Sequence, residues 1–399
     1  MASPERLAGR RLLAAICIAG PALVCLIPMA PAPALPAMAA HFGGKLFAQM
    51  VMTAPAVMLI LSAPIAGLIA AKFGRRIVLL FSLALYVIGG AGVLLANTST
   101  TLIALRLVLG VSGGAMLTSS LALIGDFFEG KLRETILGYA TSVSSVVAAL
   151  ALAFGGELVD RWGWRAPFAL YLFGLPILAI AASIIPNQGK PIRDDLVHEA
   201  AHARQLIPVV PLYFLLILLT IGMFMPAIQV GFVLDSRGVH SAAAQGAIVS
   251  AASIVAIFAA GLYGVFRRWL SAHALLAIDA ASLGFGVMTI ALSSSTLGMV
   301  IGCSIVGIGA GMSEPATASL IFDRTPPAVH ALAMGLIVSA LNLGIFINPL
   351  AIAPLRDAFG IVTAFEIYGG IMLCIAVALI VTSRGRSRRN TNGLAPVHR

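Results

Sequence analysis

Apolar residues fall along this chain in twelve blocks, at 12–34, 47–71, 77–96, 101–124, 135–157, 167–186, 207–233, 243–265, 272–291, 297–321, 331–353 and 362–382. Each block is near the roughly 20 residues that carry a helix across the hydrocarbon core of a bilayer. Short polar clusters separate the blocks. Inside them apolar and polar positions do not alternate strictly, so the pattern predicts helices and not the strands of a barrel. The expected fold class is an all-α membrane protein with twelve transmembrane helices.

Composition agrees with that pattern. The chain is 60% hydrophobic and 10% charged, where a soluble domain carries about 25% charged residues. With the bilayer as solvent, the backbone has to hydrogen-bond within itself. The net charge of +10 does not point to nucleic acid, because the basic residues sort by membrane side. Nineteen of the 25 Lys and Arg residues fall in segments on the side of the N-terminus. Five (Lys45, Arg161, Arg165, Arg237 and Arg356) fall on the opposite side, and Arg106 lies within a block. That asymmetry predicts a multi-pass protein with both termini cytoplasmic. The compact loops and short termini suggest a bacterial inner membrane.

The N-terminus imitates a signal peptide, with Arg10 and Arg11 before an apolar run. The run from Leu12 is long for a signal sequence, so a retained first helix is expected. The four cysteines, Cys17, Cys25, Cys303 and Cys374, all sit in apolar blocks. They read as free thiols, with no metal spacing and no disulfide partner in a loop.

The blocks also repeat. An offset of 197 residues pairs Gly110 with Gly307, Gly114 with Gly311, Asp126 with Asp323, Gly138 with Gly335, Asp160 with Asp357, Gly163 with Gly360, Phe168 with Phe365 and Tyr171 with Tyr368. The matches are mostly Gly and Asp, which are position-specific and not apolar filler. The chain therefore reads as two copies of one six-helix half, the build of secondary transporters with a site between the halves. The expected organisation is a first bundle over 1–186, a cytoplasmic linker over 187–205, a second bundle over 206–383 and a basic tail over 384–399. In the linker, His198 and His202 flank Glu199 at helical spacing, which could hold a metal. A solvated amphipathic linker is the plainer reading, so no metal and no cofactor are expected. No nucleotide-binding loop is present, so ATP is not the expected driving force.

Between the second and third blocks stands Gly67-Leu-Ile-Ala-Ala-Lys72-Phe-Gly74-Arg75-Arg76. It resembles the signature loop of the major facilitator superfamily, and Ala260-Gly261-Leu262 with Arg267 and Arg268 is similar to a worn second copy. Leu102-x-x-x-Arg106-x-x-x-Gly110 is similar to the family's fourth-helix motif. Gly155-Gly156, followed by Gly163-Trp164-Arg165-x-x-Phe168, fits the junction of its fifth and sixth helices. The resemblance implies two pseudo-symmetric six-helix bundles that rock around a midplane site. It also implies a cytoplasmic gating motif of Gly67, Lys72, Gly74, Arg75, Arg76 and Asp126, with Arg75 pairing Asp126. The signature loop's Asp is Ala71 here, which puts one family gating contact in doubt. The Gly-Pro that family antiporters often carry on the fifth helix is also missing.

A charge inside a span costs about 2.5–3.5 kcal/mol on insertion scales, so Arg106, Asp279 and Glu314 are functional candidates. The resemblance makes helices one, four, seven and ten the cavity liners. Glu314, on the tenth and beside Pro315, is the first candidate for proton exchange. Asp279, on the ninth, is more often a structural residue in that position. Arg106 either sets the cavity potential or bonds backbone carbonyls. Gln229, Asn342 and Asn348 are further polar candidates, each as apt to bond a neighbouring helix as a substrate. Pro21, Pro28, Pro31, Pro33 and Pro36 are expected to bend the first helix. The leading expectation is a monomeric exporter of a small, fairly apolar organic compound, driven by proton antiport and not an enzyme. Proton-coupled uptake, or facilitated diffusion, is the alternative within transport. A membrane sensor or scaffold is the alternative outside it.

Overall fold

The computed structural model describes residues 4–186, 203–326 and 329–392. The linker histidines His198 and His202 lie outside the described residues. Within the described residues there is no strand, and twelve helical segments are long and apolar enough to cross a membrane. They are α1 (Arg11–Phe42), α2 (Lys45–Ala70), α3 (Arg75–Leu95), α4 (Ser99–Phe127), α5 (Gly130–Trp162), α6 (Ala166–Ile184), α7 (Arg204–Ser236), α8 (Ala242–Phe266), α9 (Ala272–Leu292), α10 (Thr296–Phe322), α11 (Leu332–Phe359) and α12 (Ile361–Val381). The protein is a multi-pass membrane protein built from two bundles, α1–α6 and α7–α12.

The repeat seen in sequence is also a repeat of contacts. On α4, a side chain at Gly110 would stand 2.2 Å from the Pro55 carbonyl oxygen of α2, and one at Gly114 2.6 Å from that of Leu59. On α10, Gly307 meets the Ala252 oxygen at 2.3 Å and Gly311 the Ala256 oxygen at 2.4 Å on α8. Both members of each contact shift by the same 197 positions. Lipid tails give helices no hydrophobic reason to associate, so close approach through small residues holds the bundle together. The turns repeat too. Gly163 and Gly360 end α5 and α11 with φ of 81° and 84°, left-handed geometry that glycine reaches without a steric penalty.

Several spans are less regular than the apolar pattern predicts. In α1 the α-helix stops at Met29, passes through a tight turn at Ala32–Ala34 and resumes at Leu35–Phe42. Pro31, Pro33 and Pro36 cluster at that break, as expected for residues that lack a backbone N–H. α6 opens as a tight 3₁₀ coil over Ala166–Phe173. α7 widens into one π-turn over Pro226–Val230, a local form frequent at functional sites. The helix containing α12 continues through the basic run to Asn392.

Twelve spans place both ends of the chain on one side, here the terminal end, opposite a far end. The bundles approach differently at the two. A side chain at Gly156 of α5 would meet the Ala242 oxygen of α8 at 2.2 Å, and one at Gly246 of α8 would meet the Leu152 oxygen of α5 at 2.2 Å. Gly138 and Gly264 lie five helical turns away on the same faces of α5 and α8. A side chain at either would meet nothing within 4 Å. α5 and α8 touch at the far end and splay apart toward the terminal end.

Candidate functional site

The far end is closed by a chain of buried amides. Gln49 of α2, Gln229 in the π-turn of α7 and Asn348 of α11 are all fully buried. Gln49 Nε2 donates to Gln229 Oε1 at 2.7 Å, and Gln229 Nε2 donates to Asn348 Oδ1 at 3.0 Å. Asn348 Nδ2 then donates to the Ile221 carbonyl at 2.7 Å, a turn before Pro226. Arg356 Nη1 reaches Gln49 Oε1 at 3.4 Å. The chain crosses from the first bundle to the second. Each amide is both donor and acceptor, so the sequence of bonds leaves few polar atoms unpaired in a dry interior. Gln229 and Asn348, two of the polar candidates, are thereby brought together. Asn342 is not, as its Nδ2 bonds the Val338 carbonyl of its own helix at 2.9 Å. Gln49 and Arg356 were missed in the sequence. Gln49 had a usable signal, being an amide inside an apolar block.

The two acids of the second bundle have different surroundings. Asp279 is fully buried between α9 and α10. Its Oδ2 accepts from Ser313 Oγ at 2.8 Å, while its Oδ1 has no partner. That oxygen lies close over Gly309, where a side chain would come within 2.8 Å of it. Glu314 follows Ser313 in sequence and so sits about 100° further round α10, away from α9. It also lies three residues beyond Gly311, on the flank that Gly311 packs against α8. At that level α8 has swung away from α5, and Glu314 is exposed. No described residue pairs with its carboxylate. The result is an acid within a span, facing the cleft that widens toward the terminal end.

Arg106 has a full set of partners within the first bundle. It is fully buried. Its Nε donates to the Val51 carbonyl at 2.7 Å, its Nη2 to the Ile27 carbonyl at 2.6 Å and its Nη1 to Tyr171 Oη at 2.9 Å. The Phe168 and Tyr171 rings each lie 5.7 Å from the guanidinium carbon. Both carbonyls belong to residues four before a proline: Ile27 before Pro31 and Val51 before Pro55. A proline cannot donate to the carbonyl one turn back. Arg106 supplies both missing donors and joins α4 to α1, α2 and α6.

The terminal end carries the residues of the signature loop. Gly74 turns the chain with φ of 95° between α2 and α3. Arg75 pairs with Asp126 and donates to the Ala122 carbonyl at 2.8 Å. Arg76 donates to the Ala182 carbonyl of α6 at 2.7 Å. Lys72 lies 5.3 Å from the Phe73 ring, and Gly67 faces Thr118 of α4. The second bundle has its own version, with Arg267 and Asp323 3.5 Å apart. Asp126 and Asp323 are matched by the repeat. Such part-exposed pairs contribute only modestly to stability. No group of residues suited to hold a metal occurs among the described residues.

Comparison with known proteins places this geometry among relatives. The profile of the Major Facilitator Superfamily matches residues 17–349 and, in a second alignment, 212–397. An "Efflux pump dotC" of Dothistroma septosporum is 36% identical over 152 residues, which is 38% of this chain and 26% of that protein. A "Multidrug transporter protein MdtP" of Bacillus subtilis is 31% identical over 169 residues, 41% of this chain and 31% of that one. The chain thus spans about a quarter to a third of the length of these curated relatives. Among solved structures, the nucleoside transporter NupG aligns with a TM-score of 0.73 at 12% identity, covering 92% of this chain and 99% of that one. A likeness at that identity speaks for the fold alone.

Proposed function

The chain belongs to the major facilitator superfamily, and from its cleft we propose that it is a secondary transporter exporting a small, fairly apolar organic compound in exchange for protons. The observation that carries the reading is Glu314, an unpaired carboxylate within a span, facing a cleft open at the terminal end and sealed at the far end. The relatives, an efflux pump and a multidrug transporter, support export of organic compounds.

The excess of Lys and Arg at the terminal end supports a cytoplasmic position for it, and on that reading the open cleft is that of an inward-facing state. The compound enters from the cytoplasm or the inner leaflet. The cleft is sparsely charged, which suits an apolar cargo and disfavours polar metabolites. When the bundles rock, the Gln49–Gln229–Asn348 chain parts and the far end opens. Glu314 then takes a proton from outside and gives it up to the cytoplasm when the inner face reopens. A ligand acts on this equilibrium only through its different affinity for the two states. Proton and compound are coupled because each favours the state that exposes it. Arg75, Arg76, Lys72, Gly67, Gly74 and Asp126 form the cytoplasmic gating motif. Asp279, Gln229, Asn348 and Arg106 support the site, and Asn342 is a further polar candidate on α11. The protein acts as a monomer in a bacterial inner membrane.

The test is a panel of organic compounds on everted, respiring membrane vesicles, read with a pH-sensitive dye. Proton movement is expected only with the intact protein and particular compounds. Glu314→Gln is expected to abolish that signal at unchanged protein level. Undiminished compound-driven proton movement in Glu314→Gln, across the pH range, would show that this carboxylate is not the coupler.

A further inference from the structure

A carboxylate of the first bundle caps a helix of the second. Asp160, in the last turn of α5, accepts three hydrogen bonds at the start of α8. Its Oδ1 takes the Ala242 N–H at 2.8 Å. Its Oδ2 takes the Ala243 N–H at 2.9 Å and the Ser241 hydroxyl at 2.6 Å. The first N–H groups of a helix have no partner within it, and the positive end of the helix dipole favours an anion. Ser241 Oγ meanwhile accepts from the Ala244 N–H at 3.2 Å. The first turn of α8 is therefore closed partly by its own N-cap and partly by the opposite bundle.

The repeat shows that this contact is a one-sided addition. By the 197-residue offset Asp160 corresponds to Asp357 on α11, and Ser241–Ala243 correspond to Gly44–Leu46 at the start of α2. At that matched crossing Gly44 has no hydroxyl, and the start of α2 has no side-chain cap. Asp357 bonds its own neighbour, Arg356 Nε, at 3.0 Å and remains mostly exposed. A cavity of about 560 Å³ lies there, lined by Gly44, Lys45, Leu46, Arg356 and Asp357 among others. One crossing is bolted by a carboxylate on a helix N-terminus. Its twin is open and depends on the amide chain deeper in the protein.

We propose that Asp160 is a positioning residue for the transport cycle, a latch that holds the far end shut by capping α8 and so sets the balance between inward- and outward-facing states. The proposal rests on the alternating-access reading above. It is read by accessibility alone, so it stands or falls separately from the cargo, the coupling ion and the role of Glu314. Rocking the far end open removes three donors from Asp160 and one cap from α8. The latch therefore weights the closed state without touching the compound.

The experiment uses the full chain in detergent with its four native cysteines replaced. Two reporters are compared under a hydrophilic maleimide: Leu152→Cys, buried at the far-end contact of α5 with α8, and Gly138→Cys, in open space at the terminal end. Asp160→Ala is expected to raise labelling at the far-end reporter about tenfold, as loss of these hydrogen bonds shifts the two-state balance, and to lower it at the terminal-end reporter. Asp160→Asn, which keeps one acceptor oxygen, is expected to fall between. Opposite changes at the two reporters are the signature of a shifted equilibrium. Labelling that is unchanged at both overturns the latch. A rise at both reporters also overturns it, because that marks general loosening.

Discussion

The two bundles share one scaffold but hold their buried charge differently. In the first, Arg106 on α4 has partners on three neighbouring helices and repairs two carbonyls left unpaired by prolines. Its match on α10, by the 197-residue offset, is Cys303, an uncharged buried thiol. The second bundle's charges are acids, Glu314 on that same helix and Asp279 on the neighbouring α9. Asp279 has one satisfied oxygen and one without a partner, and Glu314 faces the cleft. A buried charge with all its donors engaged is fixed in place, since moving it means breaking several bonds in a medium without water. A carboxylate at the edge of an opening cleft is free to exchange. On the proposed mechanism the first bundle moves as a rigid body and proton exchange takes place in the second.

The largest effect expected from this contrast is at its centre. Arg106→Ala strands the Val51 carbonyl and leaves the Ile27 carbonyl to Tyr171 alone, and should cost about 3 kcal/mol, from roughly 1–3 kcal/mol for the stranded group together with the loss of charged hydrogen bonds worth roughly 1.5–3 kcal/mol. Loss of monodisperse protein and a lower melting temperature are the readouts. Cys303→Ala, at the matched position, should stay within about 1 kcal/mol of the parent. Equal losses at the two positions would break the contrast.

A finer comparison uses two matched tyrosines. Tyr171 Oη accepts from Arg106 and donates to the Ile27 carbonyl at 3.0 Å. Tyr368 Oη donates to the Leu218 carbonyl at 2.6 Å. Tyr368→Phe should cost near the membrane average of about 0.6 kcal/mol for one interhelical bond. Tyr171→Phe should cost more, about 1.5–3 kcal/mol, because a charged donor loses its acceptor. Thermal unfolding of the two variants side by side decides the order.

The smallest effect is expected at Asp279. Asp279→Asn keeps the size of the side chain and a partner for Ser313, so stability should change by less than about 1 kcal/mol. Compound-driven proton flux should stay within about twofold, a barrier change well under the 1.36 kcal/mol that gives tenfold. Flux abolished as thoroughly as in Glu314→Gln would move the proton path behind α10 and end the distinction between the two acids.

Much of the fold was legible in the residues. Twelve apolar blocks became twelve spans because a bilayer leaves a polar backbone no option but internal pairing. The 197-residue offset reappeared in helix contacts and in the turns at Gly163 and Gly360. The irregular parts were less legible. The break in α1 was signalled by its prolines, but the π-turn around Pro226 and the tight start of α6 carry no mark in an apolar pattern. Of the candidate site, Gln229 and Asn348 were named without a way to know that they bond each other. Asp160 was visible only as a repeat match. Its partners are mainly backbone N–H groups of another helix, and backbone groups leave no trace in residue identity.

The sequence by itself determined the membrane environment, the duplication and the positions where charge is costly, since each follows from transfer free energies and spacing along one chain. Only the tertiary structure decided what each charge does. Arg106 and Glu314 look alike as lone charges in apolar blocks. One is surrounded by carbonyls and a tyrosine, and the other faces an opening. That difference depends on which helices lie beside them and at which end those helices part, and both are set by contacts between residues far apart in the chain.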